Sequence, residues 1–115
     1  MAHILVRFTQ SPYQGSKAID GVDFAMAATN YGHQVSALFE GNAVWMWQND
    51  QQPPEGVKNL RKKLNALALF EVEPCYISRL AVSRQQVEIQ SDQCVFVDSP
   101  EIVALLRQAD HVVTF

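Results

Sequence analysis

Apolar positions along the chain fall into short bursts separated by polar and turn-forming residues. His3–Phe8, HILVRF, is rich in strand formers and predicts a first strand. Thr9–Ser16, TQSPYQGS, interrupts it with Pro12 and Gly15. From Ala18 to Tyr31 the spacing becomes helical, with Ile19, Val22, Phe24, Met26 and Ala27 predicting one broad apolar face. Asp20 and Asp23 lie near the start of that helix, where they meet its dipole favourably, and Gly32 is placed to cap its end. Val35–Glu40, VSALFE, predicts a second strand, and Gly41-Asn42 a turn. Ala43–Gln48, carrying Trp45 and Trp47, reads as a short apolar helix or turn. Asn49–Gly56, with Pro53 and Pro54, reads as a loop.

The second half repeats the rhythm. Val57–Phe70 is the clearest helix: Val57, Leu60, Leu64, Leu67 and Ala68 recur at three- and four-residue spacing, with the basic residues mostly opposite. Val72–Leu80 contains a third strand centred on Cys75-Tyr76-Ile77, and a short helix follows from Ser83 to about Val87. Cys94–Val97 predicts a fourth strand. Ser99 as cap and Pro100 at the first position open a helix running to Gln108, and His111–Phe115 closes the chain as a fifth strand. Strands alternating with helices, and strands that are nearly continuously apolar, predict a mostly parallel five-stranded sheet with helices on both faces. That is an α/β/α three-layer sandwich.

A length of 115 residues makes residues 1–115 a single domain. Charged residues are 18% of the chain, below the usual share of about 25%. This points weakly to surface covered by another subunit. The net charge is -3, and the basic residues cluster only at Lys58, Arg61, Lys62 and Lys63. A nucleic-acid binder needs a broader basic face, so direct nucleic-acid binding is not expected. The cluster reads as the solvated side of a helix, with an acidic partner or RNA as the alternative. MAHILVRF lacks the pattern of a signal peptide, and no apolar run approaches a membrane span, so the expectation is a cytoplasmic protein without membrane contact.

Few residues suggest chemistry. GxGxxG, GxxxxGK[ST] and GxSxG are all absent, which disfavours a nucleotide cofactor or a serine hydrolase. His3, His33 and His111 follow no metal-ligand spacing, although parallel strands could bring His3 near His111. Neither a metal nor a cofactor is expected. Cys75 is the one catalytic candidate. It would need an exposed thiolate near positive charge, such as Arg79, whereas its apolar flanks favour a buried thiol. Cys94, opening CVFV, reads as structural. Trp45, Met46 and Trp47 are candidates for a subunit interface: a helical turn or a strand cannot point the whole run into one core. Packing beneath the following loop is the alternative.

The ordered combination of S-P-Y-Q-G-S, I-D-G-V-D-F-A-M-A-A, V-S-A-L-F-E-G-N-A-V and K-K-L-N-A-L-A-L-F-E-V-E-P-C-Y-I, ending in H-V-V-T-F, resembles the TusC/DsrF branch of the DsrE/DsrF family of sulfur-relay proteins. The most specific stretch is L-x-L-F-E-V-E-x-C, from Leu67 to Cys75. The resemblance implies a DsrE-like fold and a subunit of a heterohexamer with TusB/DsrH-like and TusD/DsrE-like partners. Such a complex passes persulfide sulfur from a small donor protein to an acceptor. In one version the sulfur ends as the 2-thio group of a tRNA wobble uridine. In the family the principal sulfur-carrying cysteine belongs to the DsrE/TusD subunit, so the resemblance implies a chiefly architectural, non-catalytic subunit here. A sulfurtransferase subunit carrying persulfide on Cys75, or a DsrF-like subunit of dissimilatory sulfur metabolism, remain the alternatives.

Overall fold

Five strands and the helices between them make up the computed structural model, which describes residues 2–13, 15–48, 59–89 and 92–115. The predicted Asn49–Gly56 loop, and Val57 and Lys58 at the start of the predicted long helix, lie outside the described residues. In chain order the elements are β1 (His3–Phe8), α1 (Lys17–Asn30), β2 (Gln34–Phe39), a 3₁₀ helix (Gly41–Trp47), α2 (Leu60–Leu69), β3 (Cys75–Ser78), α3 (Arg79–Gln85), β4 (Cys94–Val97), α4 (Ser99–Gln108) and β5 (His111–Thr114). The strands form one sheet in the order β4-β3-β2-β1-β5, and all its pairings are parallel. This is the expected three-layer α/β sandwich.

Alternation along the strands divides the core in two. Ile4, Val6 and Phe8 of β1, Val35, Ala37 and Phe39 of β2, and Cys75 and Ile77 of β3 face α1, the 3₁₀ helix, α2 and α3. Leu5, Leu38 and Val97 face the other way, where α4 lays Ile102, Leu105, Leu106 and Ala109 over them. The second layer is thin. No residue of α4 is fully buried, and Val95, Val103 and Val112 remain exposed on or beside it.

Helix α1 buries small residues rather than the predicted ones. Ala18, Gly21, Val22, Ala25 and Ala28 meet the sheet, Ile19, Phe24 and Met26 are half-buried, and Ala27 is exposed. The cause is aromatic bulk beneath the helix. Phe8 and Phe39 stack with centroids 4.7 Å apart, and Trp47 meets Phe39 edge-on at 5.3 Å. A Cβ on Gly21 would stand 2.5 Å from the Phe8 ring and 3.1 Å from Phe115, so only a glycine lets the helix come this close. Gly32, at φ 85°, takes the left-handed conformation just after the helix end, as its position predicts.

Three local expectations change. β3 stops at Ser78 and α3 begins at once with Arg79, earlier than the predicted Ser83, because the Ser78 side chain accepts the Ala81 N–H at 3.2 Å and caps the new helix. Asp98, not Ser99, caps α4: its own N–H donates to Glu101 Oε1 at 3.0 Å, which moves Pro100 to the second helical position. The apolar run after β2 is a 3₁₀ helix wedged between the sheet, α2 and α3. Ala43, Val44, Met46 and Trp47 are fully buried within the chain's own core, and only Trp45 is partly open. The single-core premise behind the interface reading therefore fails for Met46 and Trp47, since this turn has neighbours on several sides.

Gly21→Ala is expected to destabilise the fold by about 1–3 kcal/mol through overpacking against Phe8, despite the better helix propensity of alanine. A lower urea midpoint at unchanged m-value would bear this out, and a gain in stability would contradict the close approach.

Candidate functional site

In a parallel sheet every strand points the same way, so the two edges of the sheet differ in kind. Both thiols lie at the amino edge. Cys75 is the first residue of β3, Cys94 is the first of β4, and the two are register partners. Cys75 is buried, and its Sγ donates to the Val72 carbonyl at 3.7 Å. Burial pushes the Cys75 thiol up to about 11, with Gln93 pulling it down by hydrogen bonding and Glu73 pushing it further up. Cys94 rises to about 12 through burial and the neighbouring Cys75, against the pull of Arg61. An open cleft of about 500 Å³ runs beside Cys75, and the charged side chains lining it, Glu73 and Asp92, are acidic. Burial outweighs the pull of Gln93 on Cys75 and of Arg61 on Cys94. Arg79, the cation nearest in sequence, begins α3 instead, where it bonds Asp98 at 3.1 Å and lies over the Phe96 ring.

The carboxyl edge is where open α/β sheets hold ligands. A cleft of about 380 Å³ opens there, between α3 and α4. Glu40 follows β2, Ser78 ends β3 and Ser99 follows β4. They line the cleft with Leu80, Ala81, Arg84 and Gln85 of α3 and with the apolar Ile102 and Val103 of α4. Arg7 on β1 grips the Glu40 carboxylate through Nε and Nη2, and that bond holds the guanidinium pKa above its usual value. Gln85 is held from behind: it accepts from Trp45 Nε1 and donates to Asn42 Oδ1, each at 2.9 Å. Among the described residues the lining includes neither a thiol nor a histidine.

The remaining candidates do not converge. His3 pairs with the buried Ser36 hydroxyl at 3.1 Å on the α4 side of the sheet. His111 sits opposite Ile4 in the register and so points to the other side. Among the described residues no three His, Cys, Asp or Glu side chains gather as a metal site would require. The basic cluster is partly engaged: Arg61 lies over the Trp47 ring and bonds Asn65, and Lys63 pairs with Asp23 at 2.6 Å. Ser78, Arg84 and the Arg7–Glu40 pair escaped the sequence reading. A serine ahead of a helical run was the one available signal, as an N-cap, that a strand ends at Ser78.

The DsrE/DsrF-like family profile matches residues 2–115. The chain belongs to the DsrE/DsrF-like family. Within that family it is 29% identical over 114 residues to the Protein TusC homolog of Pseudomonas aeruginosa, covering 96% of each chain. It is 23% identical over 112 residues to the Protein TusC homolog of Aliivibrio fischeri, covering 94% of each. It is also 26% identical over 114 residues to the uncharacterized protein MJ0989 of Methanocaldococcus jannaschii, covering 96% of each. The crystal structure of the Escherichia coli ychN protein superimposes with a TM-score of 0.86 over the whole of both chains, at 20% identity, a likeness of fold.

This DsrE/DsrF-like chain thus keeps its thiols protonated and away from its carboxyl-edge cleft. With values near 11 and 12, well under one molecule in a thousand carries a thiolate at neutral pH. In the folded protein, iodoacetamide is expected to alkylate both cysteines at least about a hundredfold more slowly than in the denatured chain at pH 7.5. The rate should climb as pH rises towards 11. The raised values also favour the native state below the unfolded thiol pKa and cease to do so as pH passes through about 11 and 12. Rapid labelling of Cys75 in the native protein at neutral pH would contradict this placement.

Proposed function

We propose that this chain is a non-catalytic subunit of a cytoplasmic sulfur-relay complex that passes persulfide sulfur toward 2-thiolation of the tRNA wobble uridine. The observation that carries the non-catalytic part is the position of the thiols: both are protonated at neutral pH and set at the amino edge of the sheet. Family membership and the similarity to two TusC homologs support the relay setting. Its partners in this reading are TusB/DsrH-like and TusD/DsrE-like subunits in a heterohexamer, with small donor and acceptor proteins visiting the assembled complex.

The thin α4 layer supports the subunit role. Val95 of β4, Val103 of α4 and Val112 of β5 expose apolar surface on that side, and Leu80 is exposed at the start of α3. Apolar surface of this kind suits a subunit contact. Trp45, whose side chain is partly open, is the member of the Trp45–Trp47 run that can contribute to a contact. Met46 and Trp47 act instead as core.

Reconstitution with purified partners tests both parts. Cys75→Ala should leave relay through the complex within about twofold of wild type, because a protonated buried thiol contributes little nucleophile. Stoichiometric extra sulfur on Cys75 by mass spectrometry, with relay abolished in the variant, would favour the Cys75-carrier alternative. Val112→Glu should stay folded by circular dichroism yet weaken assembly by roughly thirtyfold or more, the scale of an interface hot spot of about 2 kcal/mol. Trp45→Ala should weaken assembly in the same direction. Trp47→Ala should lose about 3–5 kcal/mol of stability as a core truncation. Normal assembly by both Val112→Glu and Trp45→Ala would remove the interface reading.

A further inference from the structure

The cleft at the carboxyl edge has a chemical character that the subunit role does not use. The α3 wall carries Leu80, Ala81 and Arg84, with Ser78 at the start of the helix. The α4 wall carries the aliphatic Ile102 and Val103. Ser78 is only 7% exposed, and its Oγ accepts the Ala81 N–H. Among the described residues no acceptor takes its hydroxyl proton, which leaves one buried donor for whatever enters. Arg84 is exposed and makes no ion pair among the described residues. The one carboxylate of the lining, Glu40, is already held by Arg7. Ser99, in the first turn of α4, adds a second hydroxyl near the positive end of that helix. The uncompensated charge of the cleft is therefore one guanidinium, set across from aliphatic side chains.

We infer that this cleft binds a carboxylate attached to a small branched aliphatic group, with the carboxylate bonded by Arg84 and Ser78 and the aliphatic part against Ile102 and Val103. A guanidinium and a hydroxyl donor suit the two oxygens of a carboxylate. A volume of about 380 Å³ accepts a branched acid or one terminal leucine-sized residue. Gln85 is held in place by Trp45 and Asn42, and it keeps a second amide N–H beyond the one given to Asn42. A free aliphatic acid and the C-terminal residue of a peptide share this chemistry. The inference concerns the isolated chain, so it stands or falls separately from assembly into a complex.

The test is a titration of the full ¹⁵N-labelled chain, followed by backbone amide shifts. The probes are 4-methylpentanoate, an acetylated Gly-Gly-Leu peptide with a free carboxylate, and the same peptide as its C-terminal amide. Saturable shifts centred on Ser78, Ala81, Arg84 and Ser99 are expected with the two acids at millimolar concentration, and at least about tenfold weaker ones with the amide. Comparable binding of the two acids points to a free acid as the natural ligand, and much tighter binding of the peptide points to a chain terminus. Arg84→Gln, an exposed and conservative change, should keep the spectrum folded and weaken acid binding by about tenfold or more. Ser78→Ala should weaken it less. Absence of saturable shifts up to about 20 mM, equal binding of acid and amide, or unchanged binding by Arg84→Gln would each overturn the inference.

Discussion

The handedness of the crossover connection governs how this sheet is covered. Parallel strands are joined by right-handed crossovers. From β1 to β2, β3 and β4 the chain steps across the sheet in one direction, so the 3₁₀ helix and helices α1, α2 and α3 all land on one face. The return from β4 to β5 runs the opposite way, past β3, β2 and β1, and the same handedness sends α4 to the other face. The outer strand axes of a five-stranded sheet stand about 19 Å apart, while one helix covers about 10 Å. One face is therefore filled and the other half-filled. Val95 and Val112, one on each outer strand, are what the single helix leaves uncovered. Topology alone thus leaves apolar surface, which ties the fold to the subunit reading.

The filled face imposes its own demands. Phe8, Phe39 and Trp47 bring large rings to the centre of the sheet, and α1 can lie over them only through small side chains. Periodicity pointed to large residues at Ile19, Phe24 and Met26 because a hydrophobic pattern weighs bulk, whereas burial here is limited by room. The strands were legible because their apolar runs are short and bounded by turn residues. The starts of α3 and α4 were not, because each depends on one side-chain cap, at Ser78 and at Asp98, that a pattern of apolar positions does not register.

The candidate chemistry was legible only in part. Flanking apolar residues foretold a buried Cys75, and its raised pKa follows from that burial. That Cys94 would be its register partner could not be read, since register depends on how four separate crossovers settle. The cleft was equally hidden: Glu40, the Ser78–Arg84 stretch and Ser99 come from three segments that only the parallel sheet brings together. The run Val44–Trp47 misled in the other direction. A single-core picture makes four large apolar neighbours look like surface, but an element wedged among a sheet and two helices can bury most of them.

The direction of β3 then separates reactivity from access. Cys75 and Ser78 are three residues apart, about 10 Å along a strand. At the amino end burial and the acidic Glu73 disfavour a negative sulfur and outweigh the Gln93 hydrogen bond, while the thiol donates to the Val72 carbonyl. At the carboxyl end the side chain opens on a cleft with an unpaired guanidinium, the setting that lowers a thiol pKa. A nucleophile would be useful at the second position and is inert at the first. The residue at the useful end is a serine, with no histidine among the described residues of the lining to act as its base. A chain of this fold can therefore keep both cysteines at the amino end of its strands, apart from the carboxyl-edge cleft.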